Sequence, residues 1–216
     1  MANIQIGGFQ FWGTMHGGKG ASTNTFVSEV ASGYATQLSK GDVIIGVSDG
    51  TIAIGAAANN GLLLGVMIGA SYVFQGKRVM SDFIPASTTF APTTVGSANA
   101  SLVEWIPLTG DNIFQVDADE AATFSTYATA LGAIGENCDI ASPGSPSTTI
   151  GVSTQCLDIS THATAPFNFR IVGVQGYTLQ GGPITAAPWN DPTVTRFKYL
   201  VVCNEGLLPP YTTTGV

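Results

Sequence analysis

Residues 41–55 read GDVIIGVSDGTIAIG, two short apolar runs on either side of a Ser-Asp-Gly turn. Asp and Gly accept the positive φ angles of a tight turn, so this pair between β-rich runs predicts a hairpin. The two expected strands are Val43–Val47 and Thr51–Ile54. A third apolar run, Leu62–Ile68, follows an Asn-Asn-Gly turn. We therefore expect three consecutive antiparallel strands.

The same pattern of short β-rich runs between turns continues along the chain. Charged residues make up only 10% of the 216 residues, whereas there are 27 Gly and 11 Pro. Helical proteins cover their outer faces with Lys, Glu and Arg, so this composition favours strands and turns. We predict an all-β fold, an antiparallel β-barrel or jelly-roll-like sandwich. Its further strands are expected at Tyr72–Phe74, Arg78–Ile84, Leu102–Ile106, Ile113–Val116, Thr149–Leu157, Phe167–Val174 and Thr195–Val202.

One segment has a helical rather than a strand pattern. Asp119–Leu131 reads DEAATFSTYATAL, in which Ala is frequent. Asp119 can cap the start of a helix and Gly132 can close its end. We expect one short helix here.

The two ends of the chain differ from the middle. Residues 1–40 are predicted to form an N-terminal arm, residues 41–179 the β-rich body, and residues 180–216 an irregular segment, a final strand and a C-terminal tail. The arm carries Phe9, Phe11 and Trp12 within a Gly-rich segment that offers little apolar surface of its own. Such side chains need burial, either on the same domain or on a neighbour. We expect them to be contact residues for a neighbouring subunit.

The arm contains a sequence close to a phosphate-binding loop. Residues 13–20 read GTMHGGKG, which matches the Gly and Lys positions of G-x-x-x-x-G-K-[ST]. The motif needs a hydroxyl after the lysine to hold magnesium, and position 20 is Gly. It must also open a helix, and the residues that follow are poor helix formers. The match predicts a glycine-rich segment rather than a nucleotide site.

Charge and residue spacing argue against several functions. The net charge is −7 with only 7 Lys and Arg, which disfavours nucleic-acid binding. The longest apolar run, Leu62–Ala70, is far shorter than the ~20 residues of a membrane span. The N-terminus has no basic segment followed by an apolar core, so no secretory signal is expected.

The histidines and cysteines predict no metal, cofactor or catalytic triad. His16 and His162 lie far apart in sequence with no acid at ligand spacing. Cys138, Cys156 and Cys203 show no C-x-x-C spacing, and we expect them to be small buried apolar side chains in a reduced compartment.

One acidic group remains a candidate for chemistry. Asp117, Asp119 and Glu120 could bind calcium or act as a glycosidase pair. The alternative is that they cap the helix and complement its dipole, which we favour. Whether they bind an ion is left open by the sequence.

Two longer stretches resemble a known class of proteins. The first is GYATQLSKGDVIIGVSDGTIAIGAAANNGLLLGVMIGASYV, and the second includes PLTGDNIFQVDADE, IGENCDI, TTIGVSTQCLDIS and FRIVGV. Together they resemble small virion structural proteins of tailed bacteriophages, a group that includes head decoration or cement proteins. The resemblance spans residues 33–174. None of its motifs carries a catalytic residue.

The resemblance implies a β-barrel or jelly-roll body that forms oligomers, often homotrimers, on the outside of a capsid. The expected partners are the major capsid protein and other copies of this chain, and Phe9, Phe11 and Trp12 are the candidate residues for contact with the capsid. The expected location is the virion surface after synthesis in the host cytoplasm. We expect a structural protein and no enzyme. Two alternatives stay open: a carbohydrate-binding adhesin or receptor-binding virion component, and a hydrolase that uses Asp117, Asp119 or Glu120.

Overall fold

The structure is a computed structural model. It describes residues 7–15, 18–19, 24–31, 34–55, 63–86, 96, 98–119, 126–141, 151–164, 166–175, 190 and 196–204. No side-chain detail is given for residues 18–19 or 127.

Strands account for most of the described chain, with one short helix. In chain order the elements are β1 (Gln10–Thr14), β2 (Gly18–Lys19), β3 (Phe26–Glu29), β4 (Leu38–Ser39), β5 (Val43–Gly46), β6 (Ile52–Ile54), β7 (Leu63–Phe74), β8 (Lys77–Ser81), β9 (Phe83–Ile84), β10 (Leu102–Pro107), β11 (Asn112–Asp117), α1 (Tyr127–Gly132), β12 (Asn137–Ala141), β13 (Cys156–Ala163), β14 (Phe169–Val174) and β15 (Lys198–Cys203).

These strands form two large antiparallel sheets and one small one. The seven-stranded sheet has the order β13-β12-β14-β15-β11-β1-β2. The six-stranded sheet has the order β3-β10-β7-β5-β6, and β8 pairs with the second half of β7. The small sheet pairs β4 with β9. Strands distant in sequence are neighbours in both large sheets, as in a sandwich fold.

The main core lies between the two large sheets. The seven-stranded sheet contributes large side chains that are almost completely buried, and the six-stranded sheet faces them with aliphatic ones. Each such side chain adds ~1.5–3 kcal/mol of favourable burial. The cluster includes Phe9, Phe114, Phe169, Tyr199 and Val201 on one side and Val43, Leu63, Val66 and Ile106 on the other.

A second cluster lies on the opposite face of the six-stranded sheet. It is built around Ile44, Met67, Val103 and Trp105. The sheet curls around this cluster, because Val30, just after β3, forms a parallel bridge with Ile52 of β6. The antiparallel pair of β4 and β9 contributes Leu38 and Ile84 to the same cluster. This bridge is isolated: β3 and β6 make no further pairing in the described residues. The curled sheet therefore does not close into a barrel.

A buried polar network joins the start of β5 to a distant loop. Asp42 is 1% exposed, and it accepts hydrogen bonds from the Ser153 hydroxyl at 2.5 Å and the Ser39 amide at 2.7 Å. Gln155 accepts from the Val43 amide at 2.6 Å and donates to the Gly55 carbonyl at 2.6 Å. The network satisfies buried polar groups that would otherwise each cost ~1–3 kcal/mol.

This network predicts a loss of stability as the pH rises. Burial raises the pKa of Asp42 to about 6, and the hydrogen bonds from Ser153 and Ser39 oppose that rise. An unfolded Asp has a pKa of ~3.9, so the folded state retains a proton that the unfolded state releases. The free energy of unfolding should therefore fall by roughly 1–3 kcal/mol between about pH 4 and pH 8 through this group.

Urea denaturation of wild type and Asp42→Asn at both pH values measures this difference, since Asn cannot titrate. Asp49→Asn is the control: Asp49 is exposed, and hydrogen bonds from Thr51 lower the pKa of Asp49. The contribution of Asp49 to the pH dependence of stability therefore has the opposite sign to that of Asp42. Equal pH dependence in wild type and Asp42→Asn would exclude Asp42 as the source.

The fold class predicted from the sequence is confirmed, as a sandwich rather than a closed barrel. The hairpin around Asp49-Gly50 is present, with β5 and β6 paired antiparallel. The runs expected at Leu62–Ile68 and Tyr72–Phe74 belong to one long strand, β7. The expected strand Thr149–Leu157 is displaced to Cys156–Ala163, and β12 was not predicted.

The helix is shorter than predicted and has a different cap. It covers Tyr127–Gly132, and Thr126 caps it through a reciprocal pair of hydrogen bonds with Thr129. The predicted cap, Asp119, instead accepts a hydrogen bond from the Ile159 amide at 3.1 Å. Residues 120–125 of the predicted helix lie outside the described residues.

The described part of the predicted N-terminal arm is built into the sheets. β1 pairs with β11, β3 with β10, and β4 with β9. Gly8 packs so closely on Gly41 and Ser153 that a Cβ at Gly8 would lie 2.5 Å from the Gly41 carbonyl oxygen. Residues 1–6, 16–17, 20–23 and 32–33 of the arm, and residues 205–216 of the predicted tail, lie outside the described residues.

Candidate functional site

The seven-stranded sheet covers only part of the face that the six-stranded sheet turns toward the main core. Val66 of β7 and Ile106 of β10 point into the main core. Beyond a β-bulge between Glu104 and Trp105, the same face continues through Leu102 and Glu104 of β10 and the second half of β7. We call this continuation the uncovered face.

A groove of about 530 Å³ runs across the uncovered face. Its two sides carry exposed apolar side chains: Val27 of β3 is 62% exposed and Met80 of β8 is 77% exposed. Its floor is made of small residues of β7. We call it the Val27–Met80 groove, and its lining is Val27, Gly69, Ala70, Ser71, Met80, Ser81, Asp82, Leu102 and Glu104.

A second groove of about 430 Å³ adjoins the first, and Asp82 lines both. We call it the Phe11 groove, because Phe11 of β1 forms one of its apolar walls together with Ile68 of β7. Its remaining lining residues are Gly7, Phe9, Gln10, Lys40, Gly41, Met67, Gly151 and Val152. The two grooves therefore meet at Asp82.

Side-chain contacts hold β3 at the edge of the first groove. The rings of Phe26 and Trp105 stack with centroids 5.0 Å apart, and the Trp105 indole nitrogen donates to the Ser28 hydroxyl at 3.0 Å. Because side chains alternate along a strand, these contacts on one face direct Val27 to the other face, toward the groove. Val27 is thereby held exposed beside Glu104, its cross-strand partner.

The Val27–Met80 groove has charged groups of both signs at its edges. Glu104 accepts a hydrogen bond from the Thr25 hydroxyl at 2.8 Å. Asp82 lies 3.6 Å from the Lys40 ammonium, with both side chains more than half exposed, a geometry worth less than ~1 kcal/mol. The nearby Arg78 guanidinium donates to the Ser71 hydroxyl and to the Ala98 and Ala100 carbonyls. Two carboxylates, Glu104 and Asp82, therefore line the groove, and two cations, Arg78 and Lys40, lie beside it.

Two of the three predicted contact residues, Phe11 and Trp12, lie in β1, and Phe9 lies just before it. Phe9 is 1% exposed and its ring stacks on Phe169 at 4.6 Å, so it is not accessible to another chain while β1 is in place. Phe11 is half-buried, lines the Phe11 groove and packs edge-on against Phe114. Trp12 is half-buried at a bulge in β1. Contact of these residues with a capsid stays a prediction.

The other residues considered for chemistry are dispersed. Asp117 is buried opposite Lys198 at 3.7 Å, Asp119 binds the Ile159 amide, and Glu120 lies outside the described residues. His162 pairs with Glu136 at 3.8 Å, and His16 is also outside the described residues. In the described part of the chain, no three His, Cys, Asp or Glu are grouped to hold a metal ion.

The lysine of the phosphate-loop-like segment lies in a strand. Gly13 and Thr14 of β1 pair antiparallel with Lys19 and Gly18 of β2. The next element in the described residues is a strand, β3.

All three cysteines are buried and unbridged, as predicted. Burial raises the pKa of the Cys156 thiol to about 12 and that of the Cys138 thiol further, which makes them poor nucleophiles. No helix in the described residues is long and apolar enough to span a bilayer.

The uncovered face was not identified from the sequence, although one signal was present. Val79 and Met80 are consecutive apolar residues within a predicted strand. Successive side chains in a strand point to opposite faces, so one of the two must face outward. Val27 was assigned to the arm and its strand was not predicted.

No protein-family model matches the chain, and no similar curated protein or solved structure was found.

Proposed function

We propose that this protein is a structural component of a tailed-bacteriophage virion, which decorates the capsid and stabilises it by bridging neighbouring capsid subunits. Its partners in this proposal are the major capsid protein and other copies of the chain in a homotrimer on the outer surface. The observation that carries the proposal is the uncovered face, where the exposed apolar side chains of Val27 and Met80 line a groove. Large exposed apolar patches mark surfaces that bind other proteins.

The sequence supports the same reading. Residues 33–174 resemble virion structural proteins, and this range contains most of the uncovered face, including β7, β8 and β10. A bridging protein acts through buried area, with ~1,600 Å² for an interface of standard size. The two adjoining grooves provide an apolar centre for such an interface, and their carboxylates provide a polar rim.

Binding to capsids that lack this protein tests the proposal. We expect the purified protein to co-sediment with them in a saturable manner and to raise the temperature at which they release DNA. Met80→Ser should weaken binding by about tenfold, since it removes an exposed apolar contact with little effect on folding. Ile134→Ser is the matched control, because Ile134 is also exposed but lies in the turn after α1.

Absence of co-sedimentation at micromolar protein would contradict the proposal. A glycan array separates the adhesin alternative: a capsid-decorating protein should give no hits, whereas selective glycan binding without capsid binding would favour an adhesin.

A further inference from the structure

The segment formed by residues 151–155 crosses the start of β5 and is held there mainly by polar contacts. The Ser153 amide donates to the Lys40 carbonyl at 3.3 Å, and an isolated parallel bridge joins Val152 to Lys40. The Gln155 side chain makes two hydrogen bonds to the backbone beside it. Only Val152 has an apolar side chain in this segment, and it is half-buried. Because so little apolar surface is buried, the segment should open locally more easily than a core strand.

One carboxyl group lies beneath this segment. Asp42 is 1% exposed, and its two oxygens accept hydrogen bonds from the Ser153 hydroxyl and the Ser39 amide. On its other side Ser153 packs against residues 7–9, since a Cβ at the middle residue would lie 2.6 Å from the Ser153 Cβ. Neither residues 7–9 nor residues 151–155 carry an ionisable side chain. Asp42 is therefore the titratable group in these contacts.

The described residues around Asp42 provide no cation that pairs with its carboxylate. Lys40 and Asp82 pair with each other at 3.6 Å, and both side chains are more than half exposed. Tyr34 also lies near: burial raises the pKa of its hydroxyl, and the charge of Asp42 adds to this rise. The adjoining strands β5, β6 and β7 carry no charged side chain. A buried carboxylate without a cation is costly, so the charged form of Asp42 gains from contact with water.

This burial fixes the direction of the pH effect. Burial raises the pKa of Asp42 to about 6, compared with ~3.9 for a solvated Asp. Asp42 therefore holds a proton more tightly when the segment is closed than when the segment has opened and admitted water. By linkage, opening becomes more favourable as the pH rises. These two pKa values predict a rise of about tenfold in the opening equilibrium constant between pH 5 and pH 7.

We propose that residues 151–155 form a pH-dependent flap, which opens locally as the pH rises and Asp42 becomes ionised while the two large sheets stay intact. Gly151 and Val152 line the Phe11 groove, so opening of the flap removes part of the wall of that groove. The wall is complete in acid and opens more often at neutral pH. This inference does not depend on the proposed function.

Amide hydrogen exchange followed by two-dimensional NMR at pH 5 and pH 7 tests the proposal. The reporters are the amides of Val43, Ser153 and Gln155, which all donate hydrogen bonds in these contacts. The reference amides are those of β11, which lies between β1 and β15 inside the seven-stranded sheet. After correction for intrinsic exchange, the reporters should be less protected than β11, and their protection should fall about tenfold from pH 5 to pH 7.

Two variants assign the pH dependence. Asp42→Asn can still form hydrogen bonds but cannot titrate, so its reporters should lose the tenfold change. Asp82→Asn is the control, because it removes an exposed carboxylate next to Lys40 and should leave the change intact.

Three results would overturn the proposal. The first is wild-type reporters as strongly protected as β11, since the segment would then open only when the whole fold unfolds. The second is protection in wild type that does not change with pH. The third is the same tenfold change in Asp42→Asn. If Asp42→Asn does not fold, the first two comparisons in wild type still decide the outcome.

Discussion

Gly65→Ala should destabilise the protein by about 3 kcal/mol or more, whereas Gly69→Ala in the same strand should stabilise it by roughly 0.5–1 kcal/mol. The new methyl group at Gly65 would overlap the Trp105 ring and the backbone of β10. Trp105 is buried in the second cluster, so it cannot move away without exposing apolar surface. At Gly69 the methyl group meets nothing and the backbone entropy of the unfolded chain falls.

Urea denaturation of the two variants measures this contrast. Since small domains have a total stability of ~5–15 kcal/mol, the Gly65 variant should show a much lower midpoint, and the Gly69 variant a slightly higher one. If both variants were destabilised to a similar extent, Gly69 would have a role in folding.

Phe9→Ala should cost about 3–5 kcal/mol, the range for an aromatic side chain removed from a core. Phe9 is buried between the sheets and stacks on Phe169. The matched control is Phe26→Ala: Phe26 is 48% exposed and stacks on Trp105 at the surface, so its loss should cost about 1 kcal/mol. Thermal or urea unfolding of both variants measures the difference.

The burial of Phe9 and the pairing of β1 with β11 change the result expected when the N-terminus is deleted. From the sequence alone, deletion of residues 2–20 should leave a folded protein that no longer binds capsids. The structure predicts instead that this deletion unfolds the chain, since it removes β1 and Phe9 from the main core. A truncated protein with native circular dichroism and an unchanged midpoint would contradict the placement of β1 in the sheet.

The sequence predicted the fold class and the central strands because their signals are local. An Asp-Gly turn between β-branched runs needs no information from the rest of the chain. β1 and β3 contain Phe, Trp and Val, which favour strands. They were missed because they are short, and because the Gly-rich sequence around them was interpreted as an arm. The cap at Thr126 was missed because Asp119 was expected to cap the helix. Asp119 instead accepts a hydrogen bond from Ile159 in β13, which is distant in sequence.

The candidate site depends on relations that the sequence does not display. Whether Gly65 or Gly69 is required by packing depends on the side chains that the neighbouring strand brings next to each one. Exposure of Val27 and Met80 depends on how far the seven-stranded sheet extends over the six-stranded one. Three strand pairings, β3 with β10, β10 with β7 and β7 with β8, bring Val27, Glu104 and Met80 close together.

The central claim is that the protein binds capsid subunits through the uncovered face. A cryo-electron microscopy map of capsids decorated with this protein tests it most directly. Our account predicts density of a capsid subunit in contact with Val27 and Met80. A map in which the Val27–Met80 groove faces solvent while another surface contacts the capsid would contradict it.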